Sequence, residues 1–241
     1  MTGVVVAIDG PSGTGKSTIS RRLAAELGLA YLDTGAMYRV ATWWCLHRNI
    51  DLADQEAVAA AVRTLPMQIG TDPAHPTFAV DGRDVAGEIR STRISTAVSA
   101  VATNLAVRAE LQQRQREAIA AELRPASFSQ GRGVIAEGRD ITTVVAPEAE
   151  VRILLLADEQ ARLERRAREL HGSTDAAVLA ATRDQVVRRD ADDSTVSNFT
   201  TAADGVVTVD TSTLTLDEAV HTVRTVIAAA REELTGTQET P

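Results

Sequence analysis

The apolar positions of this chain fall into two alternating patterns. Val4 to Ile8 is a short, almost wholly apolar and largely β-branched run with a glycine-rich stretch directly after it. That predicts a strand buried on both faces, as in a parallel sheet. From Lys16 the apolar residues Ile19, Leu23 and Leu27 recur at helical spacing and Gly28 follows as a stop, so the opening reads strand, loop, helix. Residues 29–32 predict a second strand ending at Asp33, and a helix carrying Met37, Val40, Trp44 and Leu46 follows. Val134 to Ala136, Val151 to Ala157 and Val206 to Val209 are three more apolar strands separated by helical stretches. Thr215 and Glu218 form a T-x-x-E capping box before a last helix with Ala219, Val220, Val223 and Ile227 on one face. The tail beyond about Leu234 is polar and is expected to fray.

Residues 63–90 change character. Pro66, Gly70, Pro73, Pro76 and an Asp81-Gly82 pair punctuate strand-like pieces such as Thr77 to Val80, which is hairpin chemistry. A small antiparallel excursion inserted in an α/β core is expected there. Ser91 to Leu123 is helical in composition with a break near Asn104, and Pro125 ends it. The fold class is therefore α/β, with a parallel sheet flanked by helices.

Composition narrows the function. The 241 residues suffice for one compact core with a smaller insertion or lid, and 44% hydrophobic with 24% charged residues is ordinary for a soluble domain. No apolar run approaches a membrane span, and no basic region followed by an apolar one opens the chain, so a cytoplasmic location is expected. Cys45 is alone, which excludes an internal disulfide and a cysteine-rich zinc site and predicts a small buried residue. His47, His75, His171 and His221 show no metal-binding spacing. The net charge of −8 disfavours a nucleic-acid surface. Of the 25 basic residues 24 are arginine; Lys16 is the single lysine. An ammonium is a compact point charge and a guanidinium a wide planar fork, so Lys16 suits a site too tight for the fork.

Gly10-Pro11-Ser12-Gly13-Thr14-Gly15-Lys16-Ser17 matches G-x-x-x-x-G-K-[ST] between a buried strand and a helix start. The glycines let successive backbone N–H groups, on to Thr18, turn around a phosphate at a helix N-terminus. Lys16 reaches the β- and γ-phosphates, and the Ser17 hydroxyl is a Mg²⁺ ligand. A GTPase would carry N-K-x-D, which needs a second lysine; an ABC ATPase would carry an L-S-G-G-Q-like signature, and this chain has none. A small-molecule or nucleotide kinase remains.

Asp33-Thr34-Gly35-Ala36-Met37-Tyr38-Arg39, Gly87-Glu88-Ile89-Arg90, Val107-Arg108 and Glu137-Gly138-Arg139-Asp140, taken with the phosphate loop, resemble the bacterial cytidylate kinase family over nearly the whole chain. The resemblance implies a nucleoside-monophosphate kinase fold with a five-stranded parallel sheet. It implies a core of 1–35, 111–160 and 200–235, an acceptor-binding insertion at 36–110 containing a small antiparallel sheet, a mobile arginine-rich lid at 161–199, and a tail at 236–241. The implied activity is γ-phosphate transfer from ATP, with Mg²⁺, to CMP or dCMP in a monomer. Carried over by position, Thr34, Tyr38, Arg39 and Arg139 lie at the CMP phosphate, Ser99, Arg108 and Asp140 at cytosine, and Arg189 with Asp193 at the ribose. Lys16, Asp33, Arg139 and Arg189 form the catalytic set, and Arg165 joins the phosphate loop on the ATP side.

Those residue types suit the chemistry. Cytosine presents an N4 amine donor beside N3 and O2 acceptors, which a carboxylate at Asp140 and donors at Arg108 and Ser99 complement. The acceptor phosphate, with a second pKa near 6, is already mostly dianionic at pH 7, so no general base is needed. Arg162, Arg165, Arg166, Arg183, Arg188 and Arg189 concentrate in the lid stretch, where solvated helix-face pairing would account for any one of them equally well. Structural ion pairs would likewise account for Arg39, Arg139 and Asp140, and core packing for Tyr38 and the Trp43-Trp44 pair. Two departures from the family stand out. Thr142 occupies a place where the family has glycine, which predicts a local change where backbone permissiveness is needed. Val196 stands where the family has a further arginine. Rival readings are another small P-loop kinase, acting on shikimate, gluconate or dephospho-CoA, and a nucleotide-binding protein without turnover.

Overall fold

A computed structural model describes residues 3–236. Five strands, β1 (Val4–Asp9), β2 (Ala30–Asp33), β6 (Gly133–Gly138), β7 (Val151–Leu156) and β8 (Val207–Asp210), form an all-parallel sheet in the order β2-β6-β1-β7-β8. The central strand β1 is buried at all six positions, and Val6 pairs with both Ile135 and Val151. Alternation sends its side chains to opposite layers. Val4, Val6 and Ile8 join Ile19, Leu23, Ile153, Leu155, Val220, Val223 and Ile227 beneath helices α1 (Lys16–Leu27) and α8 (Leu216–Gly236). Val5 and Ala7 join Leu32, Met37, Ile119 and Ile141 on the other face. Each fully buried leucine or isoleucine contributes about 1.5–3 kcal/mol.

The predicted stop at Gly28 is a left-handed cap at φ 66°, its N–H bonded to the Ala24 carbonyl. The capping box before α8 is also present: Glu218 accepts from the Thr215 N–H at 2.8 Å and the Thr215 hydroxyl accepts from the Glu218 N–H at 3.3 Å. The tail expected at 236–241 lies outside the described residues except for Gly236, the end of α8.

A second apolar cluster gathers α2 (Thr34–His47), α3 (Gln55–Arg63), α4 (Thr92–Ala102) and the start of α5 (Leu105–Glu122), with Trp43, Val62, Phe78, Ile94 and Leu111 among its buried members. Strands β3 (Met67–Ile69), β4 (Phe78–Val80) and β5 (Arg83–Asp84) form the expected antiparallel sheet. Asp81 and Gly82 both take positive φ, 50° and 77°, the turn that an Asp-Gly pair favours between hairpin strands. Asn104 breaks the long helical stretch by capping α5, accepting from the Ala106 and Val107 N–H groups. Arg114 then ties α5 to the end of α3, donating to the carbonyls of Val62, Arg63 and Leu65. Helix α3 was not among the sequence expectations, although Asp54 caps it and Val58, Ala61 and Val62 bury its inner face.

Helices α6 (Glu159–His171) and α7 (Ala176–Ser194) pack on each other, and α7 also touches α4. Thr142, at one of the two departures from the family, sits at no positive φ. The glycine-like permissiveness expected there is not used. Instead its N–H and hydroxyl both donate to Asp9 Oδ2, at 2.8 and 2.7 Å, while the Ile141 N–H donates to Oδ1 at 3.0 Å. The side chain has become an anchor for the turn after β6.

Candidate active site

The carboxyl ends of β1, β2 and β6 open on a cavity of about 1030 Å³. Its floor is the loop from Ser12 to Thr18. Gly10, Gly13 and Gly15 take φ of 152°, 82° and 90°, and a Cβ on Gly13 would lie 2.5 Å from the Arg162 carbonyl oxygen. No side chain caps the start of α1, so its first-turn N–H groups face the cavity as an anion site. Pro11 contributes a carbonyl that holds the Thr14 hydroxyl at 3.1 Å and the Lys16 ammonium at 2.8 Å. Burial lowers the Lys16 pKa to about 8, against the attraction of Glu137.

Glu137 also lines the cavity and was not among the expected site residues, although it stands inside the Glu137-Gly138-Arg139-Asp140 motif. It is buried at the end of β6, and its Oε1 accepts from the Ser17 hydroxyl at 2.6 Å and from the Tyr31 hydroxyl at 3.0 Å. Burial, reinforced by Asp33, raises its pKa to about 7, with Lys16 opposing. A charged residue ending an apolar strand beside a phosphate loop was the signal. Asp33 lines the cavity while its Oδ1 caps α2 through the Ala36 N–H at 2.8 Å. The Thr34 hydroxyl is committed to the Glu137 carbonyl at 2.8 Å inside the core. Ser17, Asp33 and Glu137 together offer the hard oxygen donors that a Mg²⁺ ion takes.

Arginines form the cavity's other wall. Arg39, Arg139, Arg166 and Arg189 line it. Burial first, and the neighbouring guanidiniums next, lower the pKa of Arg39 to about 10 and of Arg189 to about 9. Arg189 Nε is buried with no hydrogen-bond partner. Such a crowd of desolvated cations is an anion site by construction. Its internal counter-charges come from α7. Asp193 forms an ion pair with Arg139 Nε at 2.5 Å and a longer one with Arg189 Nε at 3.7 Å. Asp190 holds Arg139 Nη2 at 2.9 Å, pairs with Arg162, and accepts from the Ser12 N–H of the phosphate loop at 3.3 Å. Arg139 also stacks over the Phe199 ring at 4.3 Å. Arg165 lines the cavity with its guanidinium on the Thr211 carbonyl and hydroxyl, at 2.5 and 3.0 Å. It fixes the loop after β8.

The side chains matched to cytosine sit deeper. Asp140, buried just after β6, accepts on Oδ2 from Arg108 Nη2 at 2.5 Å and from Gln112 Nε2 at 2.6 Å. Arg108 lies over the Tyr38 ring at 5.8 Å, and burial raises the Tyr38 pKa. The Tyr38 hydroxyl and both polar atoms of Gln115 are buried without a partner. Ser99 is half-buried on α4. Arg39 reaches across to the Ser95 hydroxyl at 2.9 Å. The structure thus brings Arg39, Arg139 and Arg189 to the phosphate cavity, whereas Tyr38, Arg108, Asp140 and Asp193 lie behind its lining.

The comparisons agree in kind. A family profile described as cytidylate kinase matches residues 6–229. The cytidylate kinase of Nocardia farcinica is 50% identical over 233 residues, covering 94% of each chain. That of Rhodococcus opacus is 47% identical over 231 residues, 93% of this chain and 95% of its own. That of Streptomyces avermitilis is 45% identical over 229 residues, 95% and 94% respectively. A phosphate loop, a buried carboxylate at its hydroxyl, a cationic wall and an arginine–aspartate pair behind it, carried on a chain matched over nearly its full length, place this protein in the cytidylate kinase family.

Proposed function

We propose that this chain transfers the γ-phosphate of ATP to CMP or dCMP, giving ADP with CDP or dCDP. The observation that carries the reading is a juxtaposition. One crevice joins a phosphate loop to a wall of under-neutralised arginines, and a buried Arg108–Asp140 pair stands behind it. ATP lies on Gly10 to Thr18, with Lys16 at its β- and γ-phosphates and Arg165 supporting the donor side. Ser17, with Asp33 and Glu137 behind it, would hold Mg²⁺, which supplies charge neutralisation on the donor phosphates. Arg39, Arg139 and Arg189 take the acceptor phosphate and the charge that develops on the transferring group. Asp140 and Arg108, with Ser99, read cytosine, while Tyr38 packs beneath the pair and Asp193 steers Arg189 toward the ribose.

No proton acceptor is required, because the incoming phosphate is itself the nucleophile. The protein must align it, neutralise it and exclude water, which would otherwise take the phosphoryl group. Residues 161–199 act as the lid that does the last of these, through arginines on α6 and α7. Cytoplasmic location and a monomeric state complete the proposal; no described helix is long and apolar enough to cross a membrane.

An acceptor panel tests it. ADP release from Mg-ATP is measured with CMP, dCMP, UMP, AMP, shikimate, gluconate and dephospho-CoA. CMP and dCMP are expected to lead. Equal or faster ADP production with UMP or AMP would overturn the cytosine assignment, and ATP binding with no acceptor-dependent ADP release would overturn the kinase reading.

A further inference from the structure

Asp140 is held by more than its arginine. Arg108, Gln112 and Gln115 are spaced four and three residues apart on α5, so they share one face of the helix. Two of them converge on a single carboxylate oxygen, since Asp140 Oδ2 accepts from Arg108 Nη2 at 2.5 Å and from Gln112 Nε2 at 2.6 Å. Arg108 is spoken for elsewhere too, donating through Nη1 to the Ala102 carbonyl at 3.2 Å. A carboxylate has about four acceptor sites over its two oxygens. Both protein donors fall on Oδ2, and no hydrogen bond of the described residues reaches Oδ1.

We propose that Gln112 is a specificity-determining residue for the acceptor base, acting as a positioning residue that fixes the Asp140 carboxylate with Oδ1 turned to the substrate. The inference rests on the cytidine-monophosphate reading above.

One donor leaves a carboxylate free to rotate about its Cβ–Cγ bond; two donors on the same oxygen, from two different side chains, define its plane. The amide also has a fixed polarity here. One Nε2–H is committed to Asp140, and the second Nε2–H and Oε1 remain. Reading of the base therefore falls to Asp140 Oδ1 itself. The exposed pattern remains acceptor-only at Oδ1, which suits the N4 amine of cytosine and opposes the O4 acceptor of uracil. A wrong base would meet a desolvated acceptor with nothing to donate to it, which is the arrangement that gives large discrimination. A glutamine on a half-exposed helix face that served only solvation would not need to be 2.6 Å from a buried carboxylate.

The test compares Gln112→Leu, similar in size and unable to donate, with Gln112→Glu, similar in shape but placing a second carboxylate against Asp140. Steady-state constants are measured with CMP and UMP at saturating Mg-ATP, and thermal stability is followed in parallel. For Gln112→Leu, KM for CMP is expected to rise about tenfold with kcat within about twofold, and the CMP-over-UMP preference in kcat/KM to fall about tenfold. For Gln112→Glu, two carboxylates in contact share a proton, so the ratio of variant to wild-type kcat/KM for CMP is expected to fall steadily from pH 6 to pH 8. An unchanged CMP-over-UMP ratio in Gln112→Leu would overturn the inference, as would equal losses for both bases or a pH profile of Gln112→Glu parallel to the wild type. A wild type that does not prefer CMP would instead overturn the reading of function on which the inference rests.

Discussion

Replacing Thr142 by valine tests the anchor beneath the turn after β6. Asp9 is only 1% exposed, so its carboxylate relies on the three donors from Ile141 and Thr142. Valine keeps the shape of threonine and both backbone N–H donors but removes the hydroxyl at 2.7 Å. A hydrogen bond to a buried charged acceptor contributes about 1.5–3 kcal/mol, and the methyl group that replaces the hydroxyl returns somewhat under about 1 kcal/mol. The expected net loss is about 1–2 kcal/mol. For a chain of this size that lowers Tm by roughly 2–8 °C.

The pH dependence has a definite sign. Burial is the chief cause raising the Asp9 pKa above its ordinary value, and the three hydrogen bonds oppose it. A raised carboxylate pKa means that the associated stability is fully present below the unfolded value and lost as pH rises through the folded one. Removing the hydroxyl raises the pKa further. The valine variant should therefore fall furthest behind the wild type at pH 8, and the gap should narrow as Asp9 takes up its proton. Thermal melts of both proteins between pH 4 and pH 8 read this directly. A variant as stable as the wild type at pH 8, or a gap independent of pH, would refute the reasoning. Because the same turn carries Arg139 and Asp140, KM for CMP should also rise.

Glu137→Gln retains an acceptor for Ser17 and Tyr31 but removes a buried charge whose pKa is raised to about 7 from 4.5. The variant should lose at least about a hundredfold in kcat, yet be more stable than the wild type at pH 8 by about 1–3 kcal/mol, with no gain below pH 4.5; equal turnover would remove Glu137 from the site. Lys16 is the chain's single lysine, and its pKa of about 8 makes it reactive as the free base. An amine-acylating reagent should inactivate the enzyme with a pH midpoint near 8 rather than near 10.5, with Mg-ATP protecting and peptide mass spectrometry locating the adduct at Lys16. Asp190→Asn leaves Arg139 and Arg162 without their shared carboxylate. Turnover should fall roughly tenfold, and inorganic phosphate should raise the Tm of the variant more than that of the wild type, as expected if an anion fills the vacated position; equal phosphate shifts would count against it.

Much of the fold was legible because local and long-range signals coincide. The short apolar, β-branched runs read as strands, and each became a strand of the parallel sheet, buried throughout at the inner strands β1 and β6 and largely exposed at the edge strand β8. Gly28, Asp81-Gly82, Asn104 and Thr215-Glu218 carry their structural instruction within three or four residues, so each turn or cap was readable from sequence alone. Helix α3 carries the signals of an amphipathic helix, with Asp54 as its cap and Val58 and Val62 one turn apart, but at nine residues it is too short for that spacing to repeat. At the site, the loop from Gly10 to Thr18 is contiguous and was legible on physical grounds. Gln112 and Asp190 were not, since each acquires its role from a partner 28 or more residues away: Asp140 for the first, Ser12 and Arg162 for the second. Thr142 shows the same limit in reverse. Its departure from the family was visible, but its partner Asp9 lies 133 residues earlier and became evident only once β1 and β6 were paired.

Two of the four carboxylates of α7, Asp190 and Asp193, explain how such a site folds without substrate. Seven arginines line one cavity, and burial together with mutual repulsion already lowers the pKa of two of them, Arg39 and Arg189. Left alone, they would oppose closure of the chain around them. Asp190 and Asp193 supply counter-charge from the same helix that carries Arg189, and Asp190 takes the Ser12 N–H that a donor phosphate would otherwise engage. Neutralisation is incomplete, however, because Arg189 Nε is buried without a hydrogen bond and its ion pair with Asp193 is long, at 3.7 Å. That residual imbalance favours an entering anion, which gains the attraction of the whole cluster. Fully paired arginines would give a more stable protein with less affinity for an anion, the usual trade between stability and binding at a charged cavity.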